Sequence, residues 1–199
     1  MPDHIAAKQP EQTARKTHAL FFAAIPPAEI HAQMASAWQS FGTDALFRHH
    51  TLHLSLYGIA EMDDLDPILV QRASQAATRV RTAPFTLCFD RLMTFNGQPE
   101  KPPLVVATDG ASNKPQEIAA ELHAALRALG ITASRSQKVN PHVTLAYGPG
   151  FSGERHLTKP IVWTISEITL IGSLHGQGRH VSLGQWPLPR DRQQPSFDF

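Results

Sequence analysis

The sequence lacks the cysteines on which disulfide-linked and many metal-binding folds depend. Cys88 is the single cysteine among 199 residues, so neither an internal disulfide nor a cysteine-based metal site can form. It lies in the strand-like run P-F-T-L-C-F-D. We expect a buried thiol there, because no neighbouring pattern would activate it as a nucleophile.

Long apolar runs are also missing. The run Ala19–Ile25 is seven residues long and ends at Pro26-Pro27, whereas a membrane span needs about 20 residues. Arg15 and Lys16 precede it and give it a weak likeness to a secretory signal. A buried strand followed by a helix that starts at the prolines explains the run better. The cytoplasm is therefore the expected compartment, and no membrane partner is expected.

Neither sign of charge dominates. Lysine and arginine total 18 and aspartate and glutamate total 17, which gives a formal net charge of +1. No whole-molecule field then attracts nucleic acid or membrane, so a nucleotide partner must be held by a local site. The length suits one domain, or two small lobes that share a core.

Strands and helices alternate along the chain. Apolar spacing predicts helices over Pro27–Phe41, Leu65–Val80 and Lys114–Leu129. It predicts strands over Leu20–Ile25, Thr51–Tyr57, Phe85–Phe95, Leu104–Thr108, His142–Tyr147, Ile161–Ile171 and Val181–Trp186. The fold class is α+β, with mostly antiparallel sheets and helices on the outside. We expect one domain over residues 18–188, with flexible tails at 1–17 and 189–199.

Two short motifs match each other. Residues 51–58 read T-L-H-L-S-L-Y-G, and residues 141–148 read P-H-V-T-L-A-Y-G. Each has a histidine, an apolar residue, a hydroxyl residue and a leucine in order. The pairs are His53/Ser55 and His142/Thr144, and the two histidines are 89 residues apart. That separation is close to half of the patterned region, as a duplicated lobe would give.

The spacing has a direct chemical meaning. Side chains i and i+2 of a strand share a face, so each motif offers one imidazole and one hydroxyl together. Two such strands around a cleft suit phosphodiester hydrolysis: one imidazole accepts a proton from water, and the other gives one to the leaving oxygen. The hydroxyls can donate hydrogen bonds to phosphoryl oxygens.

Blander readings compete with this one. The chain has 11 histidines, so one such match would mean little, but two in equivalent places favour a catalytic pair of His53 and His142. His49, His50 and His53 could suggest a metal site, yet no acidic or cysteine ligand lies nearby in sequence. We therefore expect no metal.

Substrate contacts are harder to assign. Arg135 and Lys138 precede the second motif within a basic stretch, and they are either cations at the cleft mouth or part of a solvated loop. Phe22, Tyr57 and Tyr147 are candidates to stack on a base, with core packing as the alternative.

The motifs resemble those of the two-histidine phosphoesterases, defined by two H-x-[ST]-hydrophobic motifs. The chain is similar to the bacterial branch named for 2′-5′ RNA ligase and RNA 2′,3′-cyclic phosphodiesterase activities. Two further segments carry the likeness, A-L-F-F-A-A-I-P-P and W-T-I-S-E-I-T-L-I-G-S-L-H-G-Q-G. The resemblance covers Leu20–Leu188.

The resemblance implies a bilobal, duplicated fold in which two mostly antiparallel sheets face a central cleft. It implies hydrolysis of a nucleoside or RNA 2′,3′-cyclic phosphate to the 2′-phosphate, without cofactor or metal, by a protein expected to be a monomer. In that scheme His53 is the acid, His142 is the base, and Ser55 and Thr144 contact the phosphate.

The sequence departs from the branch at three positions. Tyr147 stands where an arginine is usual, Ser55 stands where a threonine is commoner, and His180 stands where a tyrosine is frequent. The first departure removes an expected phosphate-binding cation. A 2′-5′ RNA ligase, a 2′-5′ oligonucleotide phosphodiesterase and a non-catalytic nucleotide- or RNA-binding module therefore remain alternatives on the same fold.

Overall fold

The structure, a computed structural model, describes residues 18–95, 100–108, 110, 112–132, 138–148, 153–174 and 178–190. The tail predicted at 1–17, and residues 191–199 of the tail predicted at 189–199, lie outside these residues. The helices are α1 (Ala28–Phe41), α2 (Pro67–Ala77) and α3 (Lys114–Ala128). The strands are β1 (His18–Ala24), β2 (Leu54–Met62), β3 (Phe85–Thr94), β4 (Pro103–Thr108), β5 (His142–Tyr147), β6 (Glu154–Ile165), β7 (Glu167–Leu174) and β8 (Arg179–Pro187).

The helices begin and end where the sequence marks them. Pro27 precedes α1, and Gly42 ends it with φ of 73°, a left-handed conformation that glycine adopts without strain. The Asp66 carboxylate accepts a hydrogen bond of 2.8 Å from the Ile68 N–H at the start of α2, a cap worth about 1 kcal/mol. Gly130 closes α3 with φ of 76°. No helix in the described part of the chain is long and apolar enough to cross a bilayer.

The strands form one sheet, in the order β6-β3-β4-β5-β2-β1-β7-β8, and every paired neighbour is antiparallel. The expectation of two facing sheets is therefore corrected. The strands that carry the two motifs, β2 and β5, lie side by side at the centre and join the halves. Their ladder consists of one registered pair, Leu54 with Val143.

The two halves of the sheet repeat one another. β1-α1-β2 and β4-α3-β5 each place a helix between two neighbouring antiparallel strands. Each of these helices packs across the centre: α1 contacts β5 and β6, and α3 contacts β2. The helix α2 packs on α3, β7 and β8. The motif strands thus lie at the middle of a duplicated unit, held from both halves.

The core lies between the sheet and the helices. Leu54, Leu56, Val143 and Leu145 are buried in one cluster with apolar side chains of α1 and α3. Those four residues alternate with the motif residues His53, Ser55, His142 and Thr144, which are exposed or half-buried. The histidine face of the central strands therefore points away from the helix-covered core.

Two local expectations are wrong. The strand predicted over 161–171 is two strands that separate at Ser166, since Ser166 and Glu167 are both exposed and break the inward-outward alternation. β6 pairs with β3 at one side of the sheet, and β7 pairs with β1 in the other half. Cys88 is exposed, because its neighbours Leu87 and Phe89 occupy the core face of β3.

Candidate active site

A cavity of about 270 Å³ lies where the two motif strands meet. It is lined by Ala19, Phe21, Arg48, His53, Ser55, His142, Thr144, Tyr147, Ser173 and His180. Both histidine–hydroxyl pairs predicted from the sequence thus border one space. A second cavity of about 260 Å³ between β1 and β2 has Glu61 as its one charged lining residue and no histidine among the described residues.

Both motif histidines are held in the same way. The ring of His53 bonds through Nδ1 to the carbonyl of Thr51 at 2.9 Å, and that of His142 bonds through Nδ1 to the carbonyl of Asn140 at 2.7 Å. A carbonyl oxygen can only accept, so each Nδ1 must carry the hydrogen. In the neutral ring, Nε2 then keeps its lone pair, which is the state a general base requires.

A phenylalanine ring packs on each of these imidazoles. Phe21 lies 5.1 Å from His53, and Phe95 lies 4.7 Å from His142 in an edge-to-face contact, both measured between ring centroids. The carbonyl bond and the aromatic contact together fix each ring on two sides. Phe21 lies on β1 and Phe95 directly follows β3, so the aromatic contacts, unlike the carbonyl bonds, do not come from equivalent strands.

The motif hydroxyls are available to a ligand. Ser55 is exposed and Thr144 is half-buried. Within the described residues neither hydroxyl forms a hydrogen bond with the protein. Each can therefore donate to an oxygen placed in the cavity.

A β-bulge after each hydroxyl residue explains which tyrosine reaches the cavity. In β2 the register with β1 shifts between Ser55 and Tyr57, and in β5 the register with β4 shifts between Thr144 and Ala146. One extra residue at each shift turns the following side chain to the other face. Tyr147 consequently returns to the histidine face, where it is 46% exposed and lines the cavity.

The same kind of bulge removes Tyr57 from the site, contrary to the sequence expectation. Tyr57 is 2% exposed, and its hydroxyl hydrogen-bonds Nδ1 of His123 on α3 at 2.7 Å. Phe22, also expected near the substrate, is fully buried in the core and packs edge-to-face on Trp186 at 6.2 Å. It belongs to the core face of β1, whereas its neighbour Phe21 reaches the cavity.

Of the two basic candidates, the structure describes only Lys138. Lys138 is exposed and does not line the cavity; the next residue, Val139, is tied to α3 by a 2.8 Å bond from its N–H to the Gln116 side chain. Arg135 lies outside the described residues.

Sequence reasoning missed Arg48, which supplies a cation to the cavity. Its guanidinium lies over the ring of Tyr147, with 5.2 Å between Cζ and the ring centroid. It forms no ion pair within the described residues. The sequence signal was slight, since Arg48 lies in an irregular loop five residues before His53, outside both motifs.

The last hairpin adds His180 and Ser173. These two residues are partners in the pairing of β7 with β8. The imidazole of His180 lies 4.9 Å from that of His53 and 5.7 Å from the ring of Phe21, edge-to-face in both cases. The sequence marks His180 as a departure from the family but does not place it beside the motifs, because only the fold brings this hairpin next to β1 and β2.

The cavity favours neutral imidazoles when it holds no anion. The pKa of His53 is lowered from 6.5 to about 4, mainly by burial; the bond to Thr51 opposes this shift, and the nearby His180, Arg48 and His142 add to it. Burial and then Arg48 lower the pKa of His180 to about 4. Burial also lowers the pKa of His142. No carboxylate lines the described part of the cavity, so an anionic ligand would meet no fixed negative charge there.

No group of three or more histidine, cysteine, aspartate or glutamate side chains that could hold a metal ion occurs among the described residues. His49 and His50, considered above as ligands, are exposed, and the ring of His49 packs on His31 and Phe47.

A duplicated sheet with one histidine–hydroxyl pair on each central strand is the arrangement of a two-histidine phosphoesterase. The model of the 2′-5′ RNA ligase superfamily matches residues 26–177, and the chain belongs to that family. No curated protein sequence matches the chain.

Solved structures share the fold at low identity. A crystal structure of a phosphoesterase is 22% identical, with 87% of this chain and 99% of that chain covered and a TM-score of 0.70. LigT of E. coli in its apo form is 22% identical, with 88% of this chain and 100% of that chain covered and a TM-score of 0.65. TT0787 of Thermus thermophilus is 17% identical, with 87% of this chain and 99% of that chain covered and a TM-score of 0.68. LigT has also been crystallised with 3′-AMP and with ATP.

Proposed function

We propose that this protein hydrolyses the 2′,3′-cyclic phosphate of a nucleoside or an RNA end to the 2′-phosphate. Water attacks phosphorus and the bond from phosphorus to the 3′ oxygen breaks. One proton of the water passes to His142, and a proton from His53 passes to the departing 3′ oxygen. The balance is one water consumed, one 2′-phosphate and one 3′-hydroxyl formed, with the imidazoles re-equilibrating with solvent.

The base role suits His142 as the cavity holds it. Its Nδ1–H is committed to the carbonyl of Asn140, so Nε2 is the atom left to accept a proton. The lowered pKa keeps this ring neutral near pH 7. A positioned general base of this kind accelerates proton transfer by about 10²–10⁴-fold.

The acid role of His53 depends on the substrate's own charge. In the empty cavity the pKa of His53 is about 4, which leaves too little of the protonated form at neutral pH. A phosphodiester anion beside the ring favours its protonated form and raises that pKa. Acid catalysis is thereby coupled to binding of the phosphate.

The remaining polar groups provide an anion cradle. The hydroxyls of Ser55 and Thr144 and the guanidinium of Arg48 line the same cavity as both imidazoles. As negative charge builds on the phosphoryl oxygens during attack, such pre-placed donors stabilise the transition state. The guanidinium of Arg48 would supply the positive charge beside the phosphate that an arginine at position 147 would otherwise supply.

One observation carries the proposal. The two histidines come from equivalent strands, are fixed through Nδ1 to equivalent backbone carbonyls, and border one cavity with their hydroxyl partners. A pair held in this way suits acid–base chemistry on a group placed between the rings.

The test is a turnover screen of the purified protein against four substrate classes. These are RNA with 2′,3′-cyclic ends, mononucleoside 2′,3′-cyclic phosphates, 2′-5′ oligonucleotides and ADP-ribose cyclic phosphate. His53→Ala and His142→Ala are each expected to lower kcat by at least about 10²-fold. His156→Ala, which removes an exposed histidine on β6, is the matched control. Wild-type turnover in either motif variant would refute the acid–base pair, and hydrolysis of no cyclic phosphate would refute the function.

The match to the 2′-5′ RNA ligase superfamily favours RNA ligation as a second candidate function. Joining RNA through a 2′-5′ linkage is the same displacement at phosphorus, with a 5′-hydroxyl in place of water as the nucleophile, and it needs the same two imidazoles. Incubation with RNA halves that carry a cyclic phosphate and a 5′-hydroxyl separates the two. A joined product that exceeds hydrolysis would favour the ligase.

A further inference from the structure

The acid–base scheme leaves one imidazole of the cavity without a role. His180 is half-buried at the start of β8, and its ring lies 4.9 Å from that of His53. The ring forms no hydrogen bond within the described residues. Placing a polar ring in a partly buried site without a partner is unfavourable, so its nitrogen atoms are available to a ligand.

The surroundings of His180 specify the charge of that ligand. His53 and Phe21 pack on its ring, Arg48 acts on it electrostatically, and Ser173 lies opposite it on β7. His142 and Tyr147 line the same cavity. None of these groups is an acid that would pair with a protonated imidazole, so the complementary partner is an anion.

We propose that His180 is a third substrate-contacting imidazole, which donates a hydrogen bond to a phosphoryl oxygen while the neighbouring His53 protonates the leaving oxygen. This inference rests on the proposed function for the reaction step, but the anion contact stands independently. A neutral imidazole has one N–H and can donate without titrating; once an anion is bound, a proton on the ring strengthens the contact.

Two substitutions distinguish the packing of the His180 ring from hydrogen bonding by its nitrogen atoms. His180→Phe keeps an aromatic ring against His53 and Phe21 and removes the donor. His180→Gln restores an N–H donor but cannot take a proton near neutral pH. His156→Phe, at an exposed histidine on β6, controls for the loss of a histidine elsewhere.

Binding of inorganic sulfate tests the anion contact without any turnover. Sulfate does not titrate near neutral pH, so a proton taken up with it belongs to the protein. We expect His180→Phe to bind sulfate roughly 10-fold more weakly than the wild type, His180→Gln to recover part of the loss, and His156→Phe to match the wild type. The affinity of the wild type for sulfate is also expected to rise as pH falls. In both His180 variants this change of affinity with pH should be smaller, an effect that the loss of ring packing alone would not produce.

Steady-state kinetics complete the test. We expect kcat/KM for the cyclic phosphate to fall roughly 10- to 100-fold in His180→Phe and less in His180→Gln. The inference would be overturned if both His180 variants bound sulfate with the affinity of the wild type and with the same dependence of that affinity on pH. That result would leave the proposed function standing. A wild-type protein that turns over no cyclic phosphate, yet binds sulfate through His180, would refute the function and leave the anion contact standing.

Discussion

The backbone N–H of Arg48 donates a 2.9 Å hydrogen bond to the carbonyl of Leu145. The donor belongs to the loop that leads into His53, and the acceptor belongs to β5, which carries His142. One bond thus ties the approach to the first motif onto the strand of the second. It also fixes the base of the side chain whose guanidinium covers Tyr147.

Replacing Arg48 by glutamine should weaken substrate binding more than it slows the chemistry. The backbone bond to Leu145 survives the change, so the loop keeps its place while the cation is lost. A charged hydrogen bond is worth about 1.5–3 kcal/mol, which corresponds to a rise in KM of roughly 10- to 150-fold. Steady-state kinetics and the affinity for sulfate measure the effect.

Arg155 provides the matched control for that change. Its guanidinium lies over the ring of Phe41, at 4.6 Å from Cζ to the centroid, outside the cavity. Arg155→Gln removes the same charge and the same kind of ring contact and should leave KM unchanged. Equal effects of the two substitutions would mean that general charge, rather than the position of Arg48, attracts the substrate.

The two tyrosines of the motifs should respond in opposite ways. Tyr57→Phe deletes the hydroxyl that bonds His123 and should lower the free energy of unfolding by about 1 kcal/mol, with little change in kcat/KM. Tyr147→Ala removes the ring under Arg48 and should lower kcat/KM, while stability changes within about 0.5 kcal/mol. Urea unfolding and initial rates on both variants measure this; a loss of activity without a loss of stability in Tyr57→Phe would contradict it.

The tyrosines also show where sequence reasoning stops. Both motifs end in Y-G, and an unbroken period of two puts Tyr57 on the histidine face and Tyr147 on the opposite face. The bulges reverse both placements. A bulge depends on the register with the neighbouring strand, here β1 or β4, and the local alternation of apolar residues does not encode that register.

Other features were recoverable because they are local. The two histidine–hydroxyl pairs follow from strand periodicity and their repeat, and Asp66 and Gly130 mark helix ends by their own chemistry. The single sheet was not recoverable, since Leu54 and Val143 meet only through long-range packing. Arg48 and His180 escaped assignment for the same reason: each reaches the cavity from a segment whose own pattern describes only a loop or a hairpin.

Stability should fall as the solution is acidified through the range set by the buried imidazoles. The pKa values of His53 and His180 are about 4 in the folded protein and 6.5 ordinarily, and that of His142 is also lowered. Between these values the unfolded chain binds more protons than the folded one. The free energy of unfolding is therefore unaffected by these groups above about pH 6.5 and decreases as pH falls toward 4. Each group lowers it by up to about 1.4 kcal/mol per unit of difference between its folded and unfolded pKa. The contribution of His180 is smaller, because its ring is only partly buried.

Urea unfolding of the wild type and of His53→Gln at several pH values between 7 and 4 tests this loss. We expect the midpoint of the wild type to fall more steeply than that of His53→Gln, because the variant no longer has to keep that ring neutral. His156→Gln should follow the wild type, since it removes an exposed histidine. Added sulfate should restore part of the lost stability in the wild type, because an anion in the cavity favours the protonated rings. Parallel curves for the wild type and His53→Gln would show that burial does not hold the imidazole of His53 in its neutral form.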